Sequence, residues 1–494
     1  MNSTSRQLLE SGLQKVWCVD TTRHSSPDDS QVLGIERKLR KILQSTKVIK
    51  NTFPPVNRLP PEILSSILEH RASDLDLVAA THVCRHWRST LISNPSLWTD
   101  FWCQSGHDVD RTLTYLKRSK SAPIDVEVDV IVPQDTEALE YFAPHIARTR
   151  SLIIDGIAEL TPAACLLLCN PAPSLQHLDI NRYGHHVHLP DDFLGRHAPS
   201  LRRILLCDIH PTFGSPFPLP NLTEFSLRLL DSAPPLRMSA LSLFLSGSPR
   251  LKKVSIDTPN NEILQDVARD QVISLESLEE LDCTCKPAGR VLPYIRLPRL
   301  KRLHVCFLLG PGQVQKLADL LPYDGHLLLK GVTKVEYYHS NSNTQHLAFD
   351  DGDSNVMLEA HLPHENPIPV DWFSDPKYIP LIQIRRLVIG CSLNNMNPPI
   401  AIFENLEELH TFPWGGPFTE GLLPLLYPGA ETPCRSLKII HYTNLEPLGP
   451  LVSLAKARLQ AGHRLELVHL PIITESELDN VAELRELVGR VQAK

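Results

Sequence analysis

The sequence predicts an α/β protein, with a small all-helical module near the front followed by a curved, largely parallel array of short strands with helices on the outside. Three observations predict it. Two apolar stripes run at helical spacing between Val56 and Phe101; a pattern L-x-x-L-x-(L/I/V) recurs after Trp102; and several segments between the recurrences are helical in length and pattern.

Taken from the start, residues 1–29 contain Ser, Thr, Asp and Gln with little periodicity and predict a loosely ordered tail. Val32, Ile35, Leu39, Ile42 and Leu43 then fall at helical spacing with basic residues between them, which predicts one short amphipathic helix over 31–49. Asn51 to Pro55 forms a joint. The boundaries predicted are 1–53 for tail and helix, 54–101 for the helical module and 102–490 for the strand array.

The module's first helix starts at Pro60-Pro61, because proline has no N–H to lose in an opening turn. Glu62 puts negative charge at the favoured end of the helix dipole, and Ile63, Leu64, Ile67 and Leu68 form one stripe that should fade near His70. A second helix is predicted from Asp76 to Asn94, with Leu77, Ala80, Cys84, Trp87 and Leu91 spaced 3, 4, 3 and 4 apart and Val83 widening the stripe. Asn94-Pro95 ends it. Ser96-Leu97-Trp98 reads as a closing turn that folds an indole back over the pair. Some 45 residues with two stripes cannot bury both against each other, so the surplus apolar face goes to a partner, to the rest of the chain, or to both.

The succession Leu59-Pro60-x-Glu62-Ile63-Leu64, Asp76-Leu77, Val83-Cys84-Arg85-x-Trp87 and Pro95-Ser96-Leu97-Trp98 resembles an F-box in sequence and spacing. The resemblance covers roughly 45 of the 494 residues and is specific because four separated sub-motifs fall in register. It implies docking onto the Skp-type adaptor of a cullin–RING ubiquitin ligase. Carried over residue by residue, it implies adaptor contacts among Leu59, Pro60, Ile63, Leu64, Ile67, Val83, Cys84, Trp87, Leu97 and Trp98, with Cys84, Trp87 and Trp98 holding the helices together or sharing that interface. His82 and His86 are mild departures.

In the array, PSLQHLDI (173–180), PSLRRILL (199–206), PNLTEFSL (220–227), PRLKKVSI (249–256), LESLEELDC (275–283) and PRLKRLHV (298–305) share one pattern. Their central residues Leu178, Ile204, Phe225, Val254, Leu281 and Leu303 are 26, 21, 29, 27 and 22 apart, within the period of leucine-rich repeats. The last two apolar side chains of each unit point inward from a strand and the residue between them faces solvent, so each unit leaves an edge only the next can cover. ACLLLCN (164–170), SALSLFLSGS (239–248) and GQVQKLADLLP (312–322) are predicted helices. The repeat is degenerate between Leu303 and Leu387, where Lys334–Tyr338, His346–Phe349 and Val356–Ala360 predict strands and a hairpin turning at Asp351-Gly352-Asp353. IRRLVI (384–389), ENLEELHT (404–411) and RSLKIIHY (435–442) resume the pattern, with HRLELVHL (463–470) a weaker outlier. In layout the chain resembles leucine-rich-repeat F-box proteins; in consensus it is loose.

Composition narrows the function. A net charge of −7 argues against a nucleic-acid binder, and neither an apolar run of 18 residues nor an apolar leader at the N-terminus is present, so a cytoplasmic or nuclear location and no membrane partner are expected. Eleven scattered cysteines then read as reduced thiols. Asp351-Gly352-Asp353 fails as a calcium loop, because Val356 and Leu362 stand where glycine and glutamate are required. His185-His186-Val187-His188, Cys283-Thr-Cys285 and Cys165-x-x-x-Cys169 lack a second pair at zinc spacing, so no metal, cofactor or catalytic residue is assigned. The expected function is a non-enzymatic substrate-recognition subunit of an SCF-type ligase that binds an adaptor, through it a cullin, and an unidentified protein substrate. A scaffold that binds the adaptor without a cullin is the alternative, and a hydrolase or transferase hidden in the C-terminal half is a third reading.

Overall fold

The computed structural model describes residues 29–71, 74–104, 109–130, 137–156, 161–182, 187–211, 217–229, 236–264, 266, 272–286, 292–308, 321–323, 329–339, 344–350, 355–361, 381–390, 403–412, 426, 434–443, 447–471 and 473–493. The chain divides into two compact units, one made of Met1–Trp102 with His107–Asp125 and the other of Cys103–Gly106 with Val126–Lys494. Among the described residues no helix is long and apolar enough to cross a membrane.

The front unit is helical, with α1 (Asp29–Asn51), α2 (Pro61–Arg71), α3 (Asp74–Ala80), α4 (Arg85–Ser93) and α5 (Val109–Ser119). Pro61 opens α2 as its chemistry requires, and Glu62 sits in the first turn. The predicted helix over 76–94 is two helices instead. Cys84 adopts an extended conformation at φ −158°, ψ 171° and caps α4, and the Thr81 hydroxyl donates to the Val78 carbonyl at 2.7 Å. Thr81 and Val83 are β-branched and lose side-chain freedom in a helix, so the break falls at the weakest stretch of the stripe. Asn94-Pro95 ends α4, and Pro95–Trp98 forms a single 3₁₀ turn in which the Asn94 side chain accepts from the Ser96 N–H.

That turn places Trp98 at the centre of the unit. The indole is fully buried, donates from Nε1 to the Leu91 carbonyl at 2.8 Å, and meets the Tyr115 ring of α5 edge-on with centroids 4.8 Å apart. Phe101 joins Tyr115 at 6.0 Å, and the Arg118 guanidinium lies 4.3 Å from the centre of the Trp98 ring. Burial holds Arg118 below its ordinary value. The Leu64, Leu77, Ala80, Leu91, Leu97 and Leu116 side chains complete this core.

The second unit is built on one long sheet. Its strands are β1 (Thr149–Asp155), β2 (His177–Asn181), β3 (Arg203–Cys207), β4 (Glu224–Arg228), β5 (Lys253–Leu264), β6 (Glu280–Lys286), β7 (Arg302–Leu308), β8 (Lys334–His339), β9 (Thr344–Asp350), β10 (Asn355–His361), β11 (Arg386–Gly390), β12 (Glu408–Thr411), β13 (Ile439–Tyr442), β14 (Leu467–Leu470) and β15 (Arg490–Ala493). From β1 to β7 each pairs in parallel with the next, and the register joins Leu152, Leu178, Ile204, Phe225, Val254, Leu281 and Leu303 in one buried row. The six residues picked out by the repeat are therefore direct neighbours across strands.

The degenerate stretch interrupts the parallel order without breaking the row. β7 pairs in parallel with β10, β10 and β8 each pair antiparallel with β9, and β8 pairs in parallel with β11, so Leu303 continues through Val356, Phe349 and Val335 to Leu387. A parallel crossover needs a dozen or more residues. Only residues 340–343 and 351–354 join these strands, so they form an antiparallel meander. The turn at Asp351-Gly352-Asp353 itself lies outside the described residues. Parallel pairing resumes through β12, β13, β14 and β15, carrying the row to Leu409, Ile440, Val468 and Val491.

Helices cover the buried side: α6 (Glu137–Phe142), α7 (Pro162–Leu168), α8 (Met238–Ser246), α9 (Gly449–Gln460) and α10 (Leu478–Leu487). Two of the predicted helices correspond to α7 and α8, where Leu167, Leu168, Leu241, Phe244 and Leu245 are buried and Phe244 packs on Phe225 with centroids 4.5 Å apart. The one predicted over 312–322 lies almost wholly outside the described residues. Elsewhere, as at Phe193–Arg196 and Leu292–Tyr294, a 3₁₀ turn replaces a helix. Arg458 of α9 is wholly buried, donating from Nη2 to the Cys434 carbonyl at 2.9 Å.

Candidate functional site

In the front unit, α2 turns Leu64 and Ser65 inward and leaves Ile63 and Ile67 48% and 45% exposed. These two are four residues apart and share one side of the helix. Val83, in the break between α3 and α4, is 55% exposed, while Pro60 is exposed and Leu59, Cys84 and Trp87 are half-buried. Exposed branched aliphatic side chains on a unit that already has a filled core supply the surface a partner would cover.

The ten residues implied by resemblance are thus sorted. Leu64, Leu97 and Trp98 are buried in the unit's own core, because the 3₁₀ turn draws Leu97 and Trp98 inward and Leu64 lies on the inner side of α2. Leu59, Pro60, Ile63, Ile67, Val83, Cys84 and Trp87 keep some surface. Trp87 also has a structural role, since its Nε1 donates to Asn57 Oδ1 at 2.6 Å and ties α4 to the Pro55–Arg58 turn. Beside this bond a cleft of about 470 Å³ is lined by Val48, Asn51, Asn57, Cys84, Arg85 and His86. Asn57 lies in none of the motif positions, and only its bond to Trp87 within the front unit reveals it.

The second unit offers an open sheet face. Between the buried row and its companions, Ile153, Asp179, Leu205, Ser226, Ser255, Asp282 and His304 align across strands on the side away from the helices, all half-buried. One end is acidic. Glu127, Asp129 and Asp155 bring carboxylate oxygens within 4.8 Å of one another, and Asn181 donates to Asp155 at 2.6 Å. Burial pushes the Glu127 carboxyl up, with Asp129 and Asp155 adding to it. Burial followed by the Asp155 charge does the same to Asp179, only partly offset by Arg203 and Asn181.

A carboxyl whose folded-state pKa is raised supports the fold below its unfolded value and loses that support as pH rises through the folded one. At neutral pH Asp179 is therefore a charge the fold would do better without. Asp179→Asn is expected to raise the melting temperature at pH 7.5, with the gain vanishing below about pH 4, the ordinary carboxylate value. Thermal scans at both pH values check it, and an equal gain at both would contradict the electrostatic cause.

The other end carries imidazoles. His410, His441 and His469 stand in register on β12, β13 and β14, with ring centroids 3.8 Å and 4.2 Å apart and nearly parallel planes. Glu408 Oε1 lies 2.7 Å from His410 Nε2 and 2.9 Å from His441 Nε2, while Arg386 donates to Oε2 at 2.7 Å. Burial pushes the Glu408 carboxyl up, but the hydrogen bonds from His410 and Arg386 and the Arg386 charge outweigh it and hold it below the usual range. Burial, followed by the His410 and His469 charges, pushes His441 down. No single motif reveals this group, because Glu408 and His410 lie on one repeat and His441 and His469 on the next two. The tract at 185–188 is only half described, with His188 and His210 rings 5.2 Å apart.

Residues 56–104 match the family model described as F-box-like, so the front unit carries an F-box-like domain. The match spans α2, α3, α4 and the Trp98 turn. No curated protein matches the chain.

Proposed function

We propose that this chain is the substrate-recognition subunit of an SCF-type ubiquitin ligase, acting in the cytoplasm or nucleus. Its F-box-like domain docks on a Skp-type adaptor and through it a cullin, while the open sheet face holds a protein substrate. The observation that carries this reading is the exposed Ile63–Ile67 pair and Val83 on a domain whose core is already complete. Because these side chains are already about half buried, covering the rest against a partner is favourable by roughly 1 kcal/mol each, about half of the value for full burial.

The mechanism is positional. The chain forms and breaks no bond; it raises the effective concentration of substrate lysines near a ubiquitin-charged enzyme held by the same assembly. A sheet whose buried row runs from Leu152 to Val468 suits this role, because strands locked in register hold the residues of the open face in a fixed arrangement for a bound substrate. The substrate-facing array is read as a degenerate leucine-rich-repeat solenoid.

Co-expression of the full chain with a Skp-type adaptor and a cullin tests the proposal. Retention of both through affinity and size-exclusion steps supports the ligase subunit. Retention of the adaptor alone supports a scaffold that works without a cullin, and retention of neither overturns both.

A further inference from the structure

The sequence assigns no metal site, yet the imidazole end of the sheet has the composition of one. Parallel pairing sets His410 directly opposite His441, at the spacing of adjacent strands. Their chain neighbours Leu409, Thr411, Ile440 and Tyr442 are buried, so alternation turns both imidazoles to the open face. Glu408 is two residues before His410 and shares that face, and its Oε1 is within hydrogen-bonding distance of both Nε2 atoms. Two imidazole nitrogens and one carboxylate oxygen thus converge from two strands, all within 4.8 Å of one another.

We propose that Glu408, His410 and His441 form a binding site for a divalent ion of the zinc class. Imidazole and carboxylate are the ligand types that Zn²⁺ and Co²⁺ accept, and three protein donors leave one tetrahedral position for water or for a donor from a protein bound to the face. Zn–N bonds of about 2.0–2.1 Å separate two tetrahedral donors by about 3.3 Å, and the three donor atoms here already lie within 4.8 Å of one another. The stacked planes are parallel, so the rings must turn about their Cβ–Cγ bonds to aim both nitrogens at one ion. That torsion is soft.

Arg386 occupies Oε2 and fixes the carboxylate with Oε1 toward the histidines, the outer-shell support that oriented ligands have. Its positive charge also opposes a bound cation, which places the affinity below that of a closed structural zinc site. The alternative is that the ladder only packs the strands, with the carboxylate accepting from two imidazole N–H groups.

The test uses the full chain, stripped with chelator and titrated with Co²⁺ and then Zn²⁺. Because the chain holds 22 histidines, the assignment is read from variants. The expected result is one saturable equivalent of Co²⁺ with visible absorption bands, displaced by Zn²⁺, and weakened at least 100-fold in His441→Gln and in Glu408→Gln, with unchanged circular dichroism. Absence of a saturable equivalent overturns the proposal, as does uptake that persists in both variants. Should one variant unfold, the other decides. The outcome is independent of adaptor binding, which involves the other unit.

Discussion

Ile63→Asp made together with Ile67→Asp is expected to abolish capture of a Skp-type adaptor while leaving both units folded. The two side chains share one side of α2 and are about half exposed, so the free protein loses little by the change. In a bound state each aspartate would bring an unpaired carboxylate into an apolar contact, at a cost of several kcal/mol. A loss of on the order of 100-fold or more in affinity follows, since every 1.4 kcal/mol is about tenfold. Leu113→Asp is the control: Leu113 is exposed on α5, outside the F-box-like match, and its variant should bind normally. Adaptor pull-down and calorimetry check both. Undiminished binding by the double variant would place the interface elsewhere.

Trp98→Ala is expected to destabilise the front unit by about 3–5 kcal/mol, enough to unfold a marginal domain. The substitution empties the centre of the core, removes the edge-on contact with Tyr115 and strips the Arg118 guanidinium of the ring beneath it. Trp98→Phe separates the causes. It keeps most of the buried area but loses the Nε1 donation, which costs about 1 kcal/mol because the Leu91 carbonyl still accepts from the Asn94 N–H, and leaves a small void that costs about 1 kcal/mol more. Denaturant melts followed by circular dichroism measure both. Equal losses would show that the hydrogen bond, and not the packed volume, holds the unit.

The sequence made some of this legible and concealed the rest for physical reasons. Strand register was readable because alternation places every second side chain inward, so Leu178 through Leu303 could be aligned by eye and pair across strands. The start of α2 was readable because proline and glutamate act locally. The break at Thr81–Cys84 was not, since the 3-4-3-4 spacing of Leu77 to Leu91 runs on through it; spacing reports which side faces inward, not whether the backbone stays helical. The inward fold of Trp98 was readable from its closing turn, while burial of Leu64 and Leu97 was not, because motif positions mix core and contact residues.

The sequence predicted strands and one hairpin in this stretch, but the reversed place of β8, β9 and β10 in the sheet depends on partners far along the chain. The imidazole row did leave a trace. In LEELHT, LKIIHY and LELVHL the histidine fills the same outward slot of three successive repeats, a coincidence visible only once the repeats are laid over one another.

Amide hydrogen exchange of the full chain, free and bound to a Skp-type adaptor, tests the central claim most directly. Slowed exchange is predicted across 61–68 of α2 and 83–88 around the start of α4, with β1 to β15 unchanged. A stable adaptor complex in which those two stretches exchange as fast as in the free protein would contradict the account.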